Sequence, residues 1–140
     1  MRVSRRYRFC ASHRLRAAAL PESDNARIYG KCSNPHGHGH DYLLEVSAEG
    51  PVDCFTGRVL NLASLDVLVR RAVLETFDHR NLNLEIPEFS EAPPTSENLA
   101  RLIWRRLVED WGQVFPAGPR LARIRLEETR RNSFEIMEEE

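Results

Sequence analysis

The sequence predicts an α+β fold: a four-stranded antiparallel sheet with two helices packed on one face. Three observations predict it. Four segments place apolar residues at every second position and two place them at helical spacing. Their order is strand, strand, helix, helix, strand, strand, so each strand keeps one apolar face for the helices to cover. At 140 residues the chain has the size of one domain, expected to span 1–140, and no repeat or low-complexity stretch divides it. Its 20 basic and 21 acidic residues nearly cancel, which gives no general argument for nucleic acid or an anionic membrane as partner, and neither is expected. No leader-like segment or bilayer-length apolar run is read in it, and three cysteines in no CxxC pattern argue against a disulfide framework. A cytoplasmic protein with reduced thiols is the expectation.

The first strand is read over 3–13. Val3, Tyr7, Phe9 and Ala11 share one parity, Arg5 interrupts it, and His13 closes it on the apolar side. Cys10, on the other parity, is expected to be a small filler. Residues 16–29 lose the alternation and carry Pro21, Ser23, Asp24 and Asn25, so they read as a loop delivering Lys31 and Cys32 to the next strand. That strand runs from His38 to about Glu49, with Tyr42, Leu44, Val46 and Ala48 on the parity of His38 and His40. Gly50-Pro51 and Phe55-Thr56-Gly57 suggest a hairpin into 58–61. The first helix is expected from Ser64, with Leu65, Leu68, Val69, Ala72, Val73 and Phe77 as its buried stripe. After a proline-containing connection over 85–94, the second begins around Thr95-Ser96-Glu97-Asn98. It buries Ala100, Ile103, Trp104, Leu107, Val108 and Trp111. The third strand is read over 121–129, with Ala122, Ile124 and Leu126 inward. Arg130-Arg131-Asn132 turns it into a fourth carrying Phe134 and Ile136, and Glu138 to Glu140 form a solvated acidic tail.

The chemistry concentrates in Gly30-Lys31-Cys32-Ser33-Asn34-Pro35-His36-Gly37-His38-Gly39-His40-Asp41-Tyr42, which holds three of the chain's five histidines. Two imidazoles at i and i+2 on a strand can reach one ion, and neutral imidazoles suit zinc. The spacing admits His36 as well as His38 and His40, so it leaves open which two bind. His13 is ordinarily explained as a core histidine bonded to backbone, but the cluster lacks a third ligand, which raises a metal role for it. Asp78-His79 follow the first helix, where capping is the plain explanation and a carboxylate orienting an imidazole for proton transfer is the functional one. Glu128 falls on an inward parity, as a frayed strand end or as a carboxylate placed to bind something.

Five ordered motifs cover nearly the whole chain: Phe9-Cys10-Ala11-Ser12-His13-Arg14-Leu15; Gly30-Lys31-Cys32 with Asn34-Pro35-x-Gly37-His38-Gly39-His40; Asp78-His79-x-Asn81-Leu82; Pro94-Thr95-Ser96-Glu97-Asn98; and Glu127-Glu128-Thr129. Together they resemble the 6-pyruvoyl tetrahydropterin synthase family. The resemblance implies the tunnelling fold (T-fold), whose sheets join into barrels in a homohexamer of two trimers with active sites between subunits. It implies a Zn2+ cofactor held by His13, His38 and His40, a proton-transfer set of Cys32, Asp78 and His79, and a pterin pocket formed by Glu128 with Thr95, Ser96 and Glu97. The implied reaction is loss of triphosphate from 7,8-dihydroneopterin triphosphate to give 6-pyruvoyl tetrahydropterin, on the way to tetrahydrobiopterin. Arg14, Arg27 and Lys31 are candidates for the triphosphate on charge alone. Cys10 and Asp41 depart from the serine and asparagine frequent in the family, and neither touches an assigned role. The family's other branch makes 6-carboxytetrahydropterin for queuosine from the same substrate and usually has three residues between its cysteine and His-Gly-His. Here residues 33–37 make five, which favours the pyruvoyl product. A reading of another class is a non-catalytic module, with Cys32 closing a four-ligand zinc site with the three histidines; it leaves Glu128 and Asp78-His79 unexplained.

Overall fold

The two longest alternating segments pair with each other and set the frame of the sheet. In the computed structural model, which describes residues 1–139, the chain runs β1 (Arg2–His13), α1 (Glu22–Tyr29), β2 (His38–Glu49), α2 (Leu62–Val69), α3 (Glu75–Phe77), β3 (Arg80–Asn81), α4 (Leu82–Glu85), α5 (Ser96–Val114), β4 (Arg120–Glu127) and β5 (Ser133–Met137). The strands lie in the order β3-β1-β2-β4-β5. β1 and β2 are antiparallel from Arg2 opposite Glu49 to His13 opposite His38, and β4 and β5 continue the antiparallel sheet. The expected four strands are therefore present. The fifth, β3, is a two-residue parallel addition to the edge of β1.

One face of the sheet is apolar and covered. Phe9 and Ala11 of β1, Tyr42, Leu44, Val46 and Ala48 of β2, and Ile124 and Leu126 of β4 are buried against Leu65, Leu68 and Val69 of α2 and Leu99, Ile103 and Leu107 of α5. α2 passes through a π-helical turn, Arg70–Leu74, into α3. The other face carries polar side chains in ion pairs: Glu45 takes both Arg6 and Arg123, and Arg123 also pairs with Glu135.

Several local expectations are corrected. Residues 16–29 hold the helix α1 and lead into a 3-10 turn, Gly30–Ser33. Glu22 and Asp24 in the first turn and Arg27 in the last suit the helix dipole, while no apolar stripe announces the helix. Its anchor is polar: the buried Asn25 amide accepts from the Ala17 N–H and donates to the Ala17, Leu20 and Pro21 carbonyls. No strand forms over 58–61. Asp53 gathers the Phe55 and Thr56 N–H groups into a turn, and Asn61 caps α2 by accepting from Ser64, so the helix starts at Leu62. Val108 is exposed rather than core, and Cys10 is an exposed side chain rather than a filler. In the tail Glu138 pairs with Arg120, and Glu140 lies outside the described residues.

Candidate active site

The antiparallel register of β1 and β2 is what builds the site. It sets His13 opposite His38 and Ala11 opposite His40 at the end of the sheet, with His13 and His40 on the helix-covered face. The Nε2 atoms of His13 and His40 are 3.1 Å apart. Cys32, delivered by the 3-10 turn, brings its Sγ to 4.0 Å from His40 Nε2. Glu128, one residue past β4, sets Oε1 3.0 Å from His40 Nε2 and 3.9 Å from His13 Nε2. Among the described residues these four side chains hold donor atoms all within 4.8 Å of one another. His38 stands beside them, its ring centroid 4.6 Å from that of His40 and nearly perpendicular to it. His36 lies elsewhere, against a separate cavity with Arg14 and Asn83. The turn between them depends on Gly37, whose φ is 81° and whose absent Cβ would meet the His13 carbonyl at 3.1 Å.

The donor set suits a metal. His13 is fully buried, and its Nδ1 must donate to the Pro94 carbonyl at 3.0 Å, because a carbonyl only accepts. In the neutral ring that leaves the Nε2 lone pair facing His40. Burial first, and then His40, hold the His13 pKa below the ordinary histidine value, which favours this neutral form. A lone pair and a carboxylate thus converge on one point at His40 Nε2, where a single proton must serve both or a cation must replace it. Two imidazole nitrogens sharing one tetrahedral zinc at about 2.0–2.1 Å stand roughly 3.3 Å apart, close to the spacing between His13 and His40. With imidazole, thiol and carboxylate donors in reach, the cluster fits a zinc-like ion, and Pro94 orients one ligand from behind. Burial, with Glu128 second, pushes the Cys32 thiol up. The His40 hydrogen bond is the largest influence on Glu128 and holds its carboxyl below the ordinary range against the opposing effect of burial.

The start of α5 closes one side. Thr95 is spent as the N-cap, its Oγ1 accepting from the Asn98 N–H at 3.2 Å, and Glu97 points outward in the first turn. Ser96 faces inward and is buried. Of the three residues read as lining a pocket, Ser96 is thus the one turned toward Glu128. Two contributors escaped the sequence reading. The Pro94 carbonyl has no side chain to signal its use. Tyr42 is on a core parity that hides its hydroxyl.

Asp78 and His79 sit on the far side of β1. Asp78 Oδ1 accepts from the Cys10 N–H at 2.9 Å, and the His79 N–H donates to the Cys10 carbonyl at 2.6 Å. These bonds hold His79 at φ 58°, a left-handed backbone uncommon for a residue other than glycine, with its Nε2 3.5 Å from Asp78 Oδ2. The imidazole is 81% exposed and borders a cavity of about 510 Å³ with Cys10, Ser12 and Asp41. No hydrogen bond or ion pair among the described residues joins either side chain to Cys32. One chain brings together His13, His40, Cys32, Ser96 and Glu128, packs the His38 ring on His40 without adding it to the four convergent donors, and leaves Asp78 and His79 facing outward.

The chain is similar to known proteins over most of its length. The family model described as 6-pyruvoyl tetrahydropterin synthase matches residues 2–139. The human protein named 6-pyruvoyl tetrahydrobiopterin synthase is 41% identical over 130 residues, covering 93% of this chain and 86% of its own. The Drosophila melanogaster protein of the same name is 41% identical over 102 residues, covering 73% of this chain and 61% of its own. Among solved structures, Caenorhabditis elegans 6-pyruvoyl tetrahydropterin synthase superposes with a TM-score of 0.86 at 34% identity, covering 99% of this chain and 96% of its own. The Plasmodium falciparum structure of that name, at 15% identity and a TM-score of 0.69, shares the fold.

Proposed function

The chain belongs to the 6-pyruvoyl tetrahydropterin synthase family of lyases, and on that premise we propose that it is a zinc-dependent enzyme converting 7,8-dihydroneopterin triphosphate to 6-pyruvoyl tetrahydropterin with loss of triphosphate. The observation that carries the proposal is the convergence of His13, His40, Cys32 and Glu128 at one sheet end, with His38 packed on His40. Zinc would be held by His13, His38 and His40. When bound it supplies Lewis acidity toward the side-chain oxygens of the substrate, making the neighbouring C–H protons easier to remove.

The chain's own residues do the rest. Cys32 is the base that takes a carbon-bound proton: it lies beside the imidazoles, and positive charge there offsets the burial that otherwise keeps the thiol protonated. Glu128 anchors the pterin by accepting paired hydrogen bonds from the amino group and ring N–H, with Ser96, Thr95 and Glu97 around it. Asp78 orients His79, which returns a proton. Because this pair faces away from Cys32 within one chain, it serves a site completed by another copy, in a homohexamer of two trimers. The 140 residues act as one domain, working in the cytoplasm on a small-molecule substrate. No helix among the described residues is long and apolar enough to cross a membrane.

The test is to incubate zinc-loaded protein with 7,8-dihydroneopterin triphosphate and identify the pterin by mass spectrometry, with Cys32→Ala alongside. The pyruvoyl product, formed by wild type and not by the variant, is expected. The carboxy product with acetaldehyde would move the protein to queuosine synthesis, and equal inactivity of both proteins would sink the enzyme reading in favour of a zinc-binding module.

A further inference from the structure

Two hydroxyls beneath the cluster have nothing to bond. Tyr42 is 0% exposed and Ser96 3%. Their Oη and Oγ are the buried side-chain oxygens that lack a hydrogen-bond partner among the described residues. A buried hydroxyl left unpaired forfeits its hydration without compensation, and here two are left at one place. The Tyr42 ring packs edge-on against His40 at 5.7 Å and stacks on Phe9 at 5.0 Å, so the phenol is pinned and cannot turn away to find a partner. Ser96 is fixed by its position at the start of α5. The Ser96 hydroxyl lies near both the Tyr42 hydroxyl and the Glu128 carboxylate, yet makes a hydrogen bond with neither in this structure.

The missing partner is identified by what Glu128 must do. In this structure one oxygen of its carboxylate lies 3.0 Å from His40 Nε2. That close approach needs a hydrogen on Nε2 between the two. Once the same nitrogen gives its lone pair to a metal, it has no hydrogen to donate, and the carboxylate must take other donors or bind the ion itself. We propose that Tyr42 and Ser96 are positioning residues that form a second seat for Glu128, receiving its carboxylate when His40 binds metal and holding it turned toward the pterin. The two hydroxyls are unpaired here because their partner is on His40. They act through Glu128 and do not touch the reacting atoms. This rests on the proposed metal site.

The proposal makes a prediction of opposite sign for two states of one protein. Melting curves and zinc affinity by chelator competition would be measured for wild type, Tyr42→Phe, Ser96→Ala and Ser96→Thr. Metal-free Tyr42→Phe is expected to melt no lower than wild type, since it loses a hydroxyl that bonds to nothing. Its zinc affinity is expected to fall on the order of tenfold, the loss of one charge-assisted hydrogen bond. Ser96→Ala should follow the same pattern and Ser96→Thr should restore the affinity. With zinc saturating, KM for 7,8-dihydroneopterin triphosphate should rise more than kcat falls. A Tyr42→Phe protein destabilised equally with and without metal would show a packing role and overturn the seat. So would unchanged zinc affinity in Tyr42→Phe and Ser96→Ala, above all if Glu128→Gln loses it, because Glu128 would then be a metal ligand. A wild type that binds no zinc overturns the metal site and the seat together, whereas zinc binding without turnover removes only the proposed reaction.

Discussion

The two faces of the sheet treat charge and polarity in opposite ways. On the uncovered face Glu45 accepts from Arg6 at 3.0 Å and from Arg123 at 2.9 Å, while Glu49 pairs with Arg2 and Arg120. Every one of these carboxylates is matched inside the chain. At the His13 end of the covered face the matching stops. Two imidazole nitrogens face each other at 3.1 Å, a carboxylate shares one of them, a thiol stands beside it, and two hydroxyls are unpaired. Polar groups that satisfy one another need nothing added. Polar groups gathered without enough protons or partners are arranged for something that arrives.

If that contrast is functional, the largest effect comes from the thiol. Cys32→Ala is expected to lower product formation by about 10³-fold, within the usual 10²–10⁴ for a general base, with melting of the zinc-loaded protein little changed. A comparable loss of stability would make Cys32 structural. Removing zinc comes next. At free zinc about a hundredfold above Kd the ion stabilises the fold by about 2.7 kcal/mol, a melting difference of roughly 9 °C for a chain of this size. A chelator that leaves the melting curve unmoved would show that the convergent donors do not hold a metal.

The registers that make this contrast were legible in the sequence. Even-numbered residues of β2 run from His38 and His40 into Tyr42 and Leu44, so the alternation that marks the core also marks which way the histidines point. Glu128 was visible for the same reason, as a charge on an inward parity. What was not legible depended on which groups a polar side chain or a backbone carbonyl bonds, whether near in sequence or far, because alternation marks burial and not hydrogen-bond partners. The α1 helix is held by Asn25 through backbone groups rather than by an apolar stripe. The Pro94 carbonyl meets His13 across 81 residues. The turn over 53–57 and the Asn61 cap replace the hairpin strand over 58–61 that Gly50-Pro51 and Phe55-Thr56-Gly57 suggested. Parity placed Tyr42 in the core and could not say whether its hydroxyl finds a partner there.

A smaller effect should sharpen the comparison from the paired side. Glu45 is held below the ordinary carboxylate range, chiefly by its hydrogen bond to Arg6 and then, against the opposing effect of burial, by Arg123. A depressed carboxyl contributes stability that is present above its unfolded value of about 4.3 and is lost as pH falls through the folded one. Glu45→Gln is therefore expected to cost about 1 kcal/mol at pH 7. The difference from wild type should shrink below pH 4, with product formation unchanged throughout. Lost activity at neutral pH would mean that the charged face serves the site after all.

The finest comparison sets one tyrosine against another on the same covered face. The Tyr7 hydroxyl donates to Asp66 at 2.7 Å, whereas that of Tyr42 has no hydrogen-bond partner among the described residues. Burial, and then the Asp66 hydrogen bond, raise the Tyr7 pKa. A raised phenol contributes stability that is full below its unfolded value of about 10 and is lost as pH climbs through that value toward the folded one. Asp66 keeps Arg5 as a partner at 2.8 Å when the phenol is removed, so Tyr7→Phe should cost only about 0.5–1 kcal/mol. That cost should be the same with and without zinc, and the variant should lose less stability than wild type between pH 9 and 11. Tyr42→Phe should behave in the opposite manner, harmless without metal and costly with it. Two substitutions of identical chemistry would then differ in their dependence on metal, because one hydroxyl is already matched and the other waits for a carboxylate. Equal metal-independent costs at both positions would erase the distinction between the two ends of this face.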